Sequence, residues 1–512
     1  MKYFMRTSNS IKNSITSFVG STISCLIAFV SQAIFIKILG VEYIGVNGLF
    51  SNILSMFSIF ELGIGSAIVY YLYKPIGEND EKKIKELLNF YNKAYKLICA
   101  IIFICGVLLI PFLKYIIKDL TLDINIYLVY FLFLLSTLTS YCLAYKRSFI
   151  IANQKNYIIN LIHMFYLVFL NISQLIVIYF TRNYYLYLII KVLSQILECI
   201  IISIYFDKNY NKYQVDNVHV LDKKTENAIF NKVKALLCHK IGAILVMGTD
   251  NIIISSFFGV IKVGLYSNYN TIISAVSTIF TQIISTTTAS IGNLLIYENN
   301  EKKYEVFSKI RFLNLWISIF TSICILLIIQ PFIALWIGSK YELSIEIVFM
   351  LVLNFFQNMQ RQTYSTFKDS AGIWTEDKVV PLIESFLNIF FSIVCLKLFG
   401  LLGVFIGTFI SGLILWCYSY PKFVYKKLFN RSYKSYIKET MGSLVLLVAL
   451  ALLTYNISIF IPIRDIWVRI VVNIFIAIVV PNLILIFLFR NTREFKYYLH
   501  LLKDIKNKLK KN

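Results

Sequence analysis

Arg361 lies in a long apolar stretch behind three amides: Asn354, Gln357 and Asn358, with Ser365 one turn beyond. Offsets of three, four, seven and eleven residues from Asn354 put all five groups on one face of a helix. A guanidinium presents a planar fork of donors suited to phosphate, and amides hydrogen-bond well to hydroxyls. The stripe reads either as the wall of a polar cavity or as a seam of interhelical hydrogen bonds. Lys191, Ser194, Gln195 and Glu198 repeat the spacing in a second apolar block. There the alternatives are a second cavity wall, a Lys191–Glu198 pair, or a Lys191 side chain stretched to the nearest interface.

Acidic groups are rarer. Glu384, Asn388 and Ser392 follow one another at four-residue spacing just after Pro381. Asp250 sits within Thr249-Asp250-Asn251, deep in apolar sequence, and Glu61 opens a Glu-Leu-Gly-Ile-Gly run. An ionisable group in hydrocarbon costs a few kcal/mol, about 2.5–3.5 on insertion scales, so it faces a bundle interior or a wet cavity. Asp250, Glu384, Glu198 and Glu61 are therefore candidates for coupling transport to an ion. Each has a plainer reading: a basic partner on another helix, or, for Glu61, a place beside glycines that allow close helix approach. Lys146-Arg147 could admit an anionic headgroup or merely set topology, and Lys240 and Arg469, near the ends of apolar blocks, read as snorkelling cations.

Other chemistry finds no support. The nine cysteines form no C-x-x-C pair and all fall in apolar blocks, which suits small buried hydrophobes. The four histidines are scattered without metal-ligand spacing. No G-x-x-x-x-G-K-[ST] phosphate loop occurs. Neither an enzymatic activity nor a cofactor is expected.

These residues must be held by elements that the composition identifies. The 512-residue chain is 58% hydrophobic and only 15% charged, against about 25% charged in soluble domains. Its apolar residues come in blocks of about 20, the length that spans a bilayer core. Fourteen spans are predicted, beginning near residues 14, 45, 95, 125, 156, 184, 235, 264, 309, 343, 379, 401, 439 and 467. The first is too long for a signal peptide and lacks a small-x-small cleavage site, so it reads as an uncleaved span. With both termini inside, the cytoplasmic segments hold 39 of the 50 Lys and Arg residues and the external connections hold eight. That bias accounts for most of the net charge of +23 and favours anionic membrane lipids, not nucleic acid, as its partner.

An internal repeat underlies the pattern. ENDEKK at 78–83 recurs as ENNEKK at 298–303, and Pro111-Phe112 as Pro331-Phe332, both 220 residues apart. Gly40-Val41 and Gly45 recur as Gly259-Val260 and Gly264, 219 residues apart. Two parallel six-helix repeats follow, the plan of alternating-access carriers. In this alignment Asp250 matches Ser31, so the acid belongs to one copy. The expected architecture is an all-α polytopic membrane protein with a six-helix bundle over 1–205, a cytoplasmic linker over 206–230 and a second bundle over 231–425. An appended helix pair covers 426–490, and a basic amphipathic cytoplasmic tail covers 491–512.

The chain resembles the flippases of the multidrug/oligosaccharidyl-lipid/polysaccharide superfamily, in particular the Wzx-type exporters. The likeness runs over nearly the whole length. It is carried by Phe60-Glu61-Leu62-Gly63-Ile64-Gly65 with Tyr73-Lys74-Pro75, by Tyr145-Lys146-Arg147, and by Ala152-Asn153-Gln154-Lys155-Asn156-Tyr157. Lys240-Ile241-Gly242, Thr249-Asp250-Asn251 and Gly264-Leu265-Tyr266-Ser267-Asn268-Tyr269 continue it. Pro381-Leu382-Ile383-Glu384, Asn388, Phe399-Gly400-Leu401-Leu402-Gly403-Val404 and Gly407-Thr408 complete it. The resemblance implies a bacterial cytoplasmic membrane protein moving undecaprenyl-pyrophosphate-linked oligosaccharide outward, with ion coupling. It also implies a polysaccharide polymerase as a candidate partner. Within that reading Arg361 and Lys191 would attract pyrophosphate, and Asn354, Gln357, Asn358 and Gln195 would line the cavity. A drug/cation antiporter of the same fold is the alternative and should favour acidic cavity residues. A membrane glycosyltransferase or polymerase is disfavoured by external connections too short for a catalytic domain.

Overall fold

The computed structural model describes residues 2–61, 64–117, 122–214, 221–285, 288–373, 376–377 and 379–509, and every regular element among them is helical. In hydrocarbon a lone segment can satisfy its backbone N–H and C=O groups only within itself, which leaves the helix. A helix stands at each of the fourteen predicted positions. The first eight are α1 (Lys2–Leu39), α2 (Val41–Met56), α3 (Glu81–Leu109), α4 (Ile126–Cys142), α5 (Asn156–Thr181), α6 (Tyr184–Tyr210), α7 (Lys223–Phe258) and α8 (Val260–Ser285). Six more follow: α9 (Asn300–Trp336), α10 (Ile345–Ser370), α11 (Val380–Phe399), α12 (Leu401–Ile414), α13 (Tyr433–Phe460) and α14 (Ile466–Phe489). The tail forms α15 (Arg493–Leu509).

Among the described residues, ten helices are long and apolar enough to cross a membrane, and α4 with its bent continuation Ala144–Ala152 makes an eleventh. Helices α8 and α10, which are not among these, carry in-span polar groups: Asn268 with Asn270, and the stripe reaching Arg361. The protein is an all-α polytopic membrane protein.

The chain divides into two compact units, Met1–Ser267 and Asn268–Asn512. In the first, Gly40 (φ 103°) separates α1 from α2 and Gly259 (φ 81°) separates α7 from α8, a backbone region that favours glycine. A methyl group at Gly45 would strike the Val260 carbonyl, and one at Gly264 would strike the Val41 carbonyl. The contact is reciprocal between residues matched by the sequence repeat.

In the second unit an aromatic core joins α9, α10 and the segment after α12, with Phe307, Tyr364, Trp416, Tyr420 and Tyr425 all buried. Helix α12 runs on into a π-helical stretch, Leu415–Lys426, that contains Pro421. Arg311 of α9 pairs with Glu439 of α13 at 2.8 Å, and the Tyr425 hydroxyl donates to the same carboxylate at 2.6 Å. Helix α13 is thus tied to α9 by a partly buried ion pair with an added hydroxyl donor. The first turns of α15 pack on the N-terminal half of α9: Phe495 stacks on Trp316, and the Tyr498 hydroxyl donates to the Lys309 carbonyl at 3.1 Å. Leu502, Ile505 and Leu509, read as the rest of the tail's apolar face, have side chains outside the described residues.

Candidate functional site

Two charged centres emerge, one in each unit. In the second unit, α10 faces α11 and α12. Asn354 donates to the Phe405 carbonyl at 2.9 Å, Gln357 to the Phe409 carbonyl at 3.1 Å, and Arg361 to the Gly412 carbonyl at 2.9 Å. Successive turns of α10 therefore clasp successive turns of α12. Gly412 makes room for this, since a methyl there would overlap both Arg361 and Gln357. Arg361 Nη2 also lies 2.6 Å from Glu384 Oε1 of α11, with side-chain exposures of 16% and 7%. Glu384 and Asn388 are both buried, and Asn388 donates to Thr408 of α12 at 3.2 Å. Nε of Arg361 is buried without a partner.

The stripe is thus divided. Asn354, Gln357 and Arg361 turn toward neighbouring helices, while Asn358 is exposed. With Asn358 go the partly open Gln362 and Ser365 and the exposed Asp369. These four share the i, i+4, i+7, i+11 relation of Asn354, Asn358, Arg361 and Ser365, about 40° further round the helix. Gln362 and Asp369 had no place in the sequence reading, because spacing could not decide between adjacent stripes that share Ser365. Below them, Lys368 and Asp377 form a buried ion pair, and Ser419 of the π-helical stretch donates to Asp377 at 2.7 Å.

In the first unit Glu198 is the centre. Its carboxylate is only 1% exposed and takes Arg147 at 3.2 Å, His163 Nδ1 at 3.0 Å and Gln195 Nε2 at 2.8 Å. The Tyr166 hydroxyl holds Gln195 in place at 3.1 Å. His163 is half-exposed, so this buried acid has one open edge. One turn toward the helix end, Lys146 binds Asp207 at 2.8 Å and Ser203 at 2.7 Å. The Lys191–Glu198 pairing weighed from spacing does not form. Lys191 lies 4.3 Å from the centre of the Phe133 ring instead. His163 and Tyr166 were missed because they come from α5, and no spacing within α6 points to another helix.

The remaining candidates stand apart from these centres. Thr249, Asp250 and Asn251 are all buried in α7, with Asp250 close to Tyr266. Glu61 accepts from the Tyr95 hydroxyl at 3.3 Å, and a methyl at Gly65 would touch both. The Lys240 side chain lies outside the described residues. Among the described residues no cluster of His, Cys, Asp or Glu could hold a metal.

Comparison with known proteins adds family and fold. The family described as polysaccharide biosynthesis protein matches residues 10–289. No curated protein matches the chain in sequence. A solved structure described as lipid II flippase MurJ, inward closed conformation, superposes with a TM-score of 0.65 at 15% identity, covering 94% of this chain and 99% of that one. The inward-facing conformation of a multidrug resistance MATE family transporter of the MOP superfamily gives 0.60 at 13% identity, covering 78% and 95%. At such identities the likeness is one of fold.

Proposed function

This chain belongs to the polysaccharide biosynthesis protein family, and from that premise we propose that it is a flippase for undecaprenyl-pyrophosphate-linked oligosaccharide repeat units. The family match is the observation that carries the reading. The full-length fold likeness to a protein described as a lipid II flippase supports it. Transport runs from the inner to the outer leaflet of the bacterial cytoplasmic membrane, with both termini inside, by alternating access between two six-helix repeats. It serves capsular, exopolysaccharide or O-antigen synthesis, with a polysaccharide polymerase downstream and anionic lipid around the basic inner face.

The lipid chain stays in the bilayer while sugar and pyrophosphate cross. Arg361, whose Nε has no partner among the described residues, attracts pyrophosphate, with Lys191 a second cation. Asn358, the exposed member of the α10 stripe, offers its amide to sugar hydroxyls, while Asn354, Gln357 and Gln195 hold the surrounding helices in register. Glu198 couples transport to an ion through the open edge at His163, with Asp250, Glu384 and Glu61 as further candidates. A multidrug/cation antiporter shares the fold, but guanidinium groups at both charged centres suit an anionic headgroup better. Reconstituted protein should move lipid-linked oligosaccharide across vesicles and leave a cationic dye in place. Dye efflux without oligosaccharide movement would reverse the assignment.

A further inference from the structure

At the end of the second unit away from the lysine-rich connections, α9, α13 and α14 enclose a cavity of about 290 Å³. Arg464 and Arg469 line it together with one carboxylate, Glu342, so its charge is net positive. The two amides of its wall are already committed. Gln330 donates to the Leu343 carbonyl at 2.8 Å, and Asn473 donates to the Leu327 carbonyl at 2.7 Å while accepting from Ser458 at 2.6 Å. They form a fixed frame. The guanidinium groups, by contrast, form no hydrogen bond or ion pair among the described residues.

Topology does not account for this pair. Only eight of the 50 Lys and Arg residues lie in the external connections, and the charge bias that orients the chain works against adding more there. Two arginines converging on one cavity at that end therefore call for a ligand. The depth suggests which. Trp467 and Phe460, beside the cavity in sequence, are 63% and 85% exposed, and exposed aromatics mark the headgroup level of a bilayer.

We propose that this cavity binds a lipid-borne phosphate at the outer headgroup level, Arg464 and Arg469 taking its oxygens and Glu342 limiting its affinity. The site is distinct from the charged centre on α10–α12 and gives the appended helix pair a binding role. It rests on no assumption about the transported sugar.

The test uses the purified full-length chain and phosphatidylglycerol, with phosphatidylcholine as the uncharged comparison and inorganic pyrophosphate as the water-soluble one. Wild-type protein should retain phosphatidylglycerol in native mass spectrometry and melt at a higher temperature with it than with phosphatidylcholine. Arg464→Ala and Arg469→Ala should each weaken retention about tenfold, the scale of one lost charge-assisted hydrogen bond. Arg464→Lys and Arg469→Lys should keep part of it, and Glu342→Gln should strengthen it. If the double alanine variant melts normally in phosphatidylcholine yet retains phosphatidylglycerol like wild type, the site is refuted. Pyrophosphate displacing the lipid at equal concentration would refute the assignment to a lipid-borne group. Neither readout involves oligosaccharide transport, so failure here leaves the flippase reading standing, and the reverse.

Discussion

Arg361 and Glu384 illustrate how one buried contact can serve two ends. Removing one member of a buried ion pair leaves the other charge uncompensated, at a cost of about 3–5 kcal/mol. Arg361→Ala alone should therefore lower the melting midpoint, and deleting Glu384 as well should recover most of that loss. Transport should separate the two roles. If Arg361 attracts pyrophosphate, the double variant regains stability but not flipping, while Arg361→Lys keeps partial flipping because charge survives without the planar fork. Recovery of flipping in the double variant would reduce Arg361 to scaffold. The first unit makes a parallel case. Glu198→Ala strips Arg147 of its counter-charge and should destabilise the protein far more than His163→Ala, which removes a half-exposed ring. Coupling should respond the other way: His163→Ala should slow ion-driven transport in vesicles while the protein still melts normally.

Between elements, register decides what a polar stripe does. Helix α10 uses one edge of its stripe on backbone carbonyls of α12 and leaves the adjacent edge open, about 40° further round the helix. Where helices touch through glycine, space is the constraint. Gly45→Ala and Gly264→Ala each push a methyl against a backbone carbonyl and should cost about 1–3 kcal/mol, the usual penalty of overpacking. Gly442→Ala in α13 meets nothing within 4 Å, so the same exchange should be neutral or stabilising by about 0.4–1 kcal/mol; thermal melting compares all three. At the start of α7, Asp222 caps the helix through the Thr225 N–H and pairs with Lys83 of α3. The Lys83 ammonium, then the cap, hold its carboxyl well below the usual carboxylate range. Because the folded value is the lower one, this link is fully present at neutral pH and is lost as pH falls below about 4. The difference in melting midpoint between wild type and Asp222→Asn should persist down to that point and close only below it.

At the scale of the whole molecule, the testable quantity is orientation. The charge bias puts Glu301 inside and Asp123 outside, and both are exposed. In a cysteine-free background, Glu301→Cys should react with a membrane-impermeant thiol reagent only after the cell is opened, and Asp123→Cys should react in intact cells. The opposite pattern would invert the chain and, with it, the direction of the proposed transport.

Helical class, membrane-spanning character and the family resemblance could be read from the sequence because they depend on quantities local to the chain. Twenty apolar residues make a span wherever they occur, and lysines between spans act on topology regardless of packing. The glycines at 40, 45, 259 and 264 were visible as a repeated motif, but only the structure shows that 45 and 264 exist to let two backbones approach. The partners of the charged residues were beyond reach for the same reason. Glu198 takes Arg147 from the helix after α4 and His163 from α5, not Lys191 from its own helix, and Arg361 reaches Glu384 across 23 residues of chain. Periodicity fixes which residues share a face, whereas the rotation of each helix against its neighbours, set by packing, decides whether that face meets protein, lipid or water.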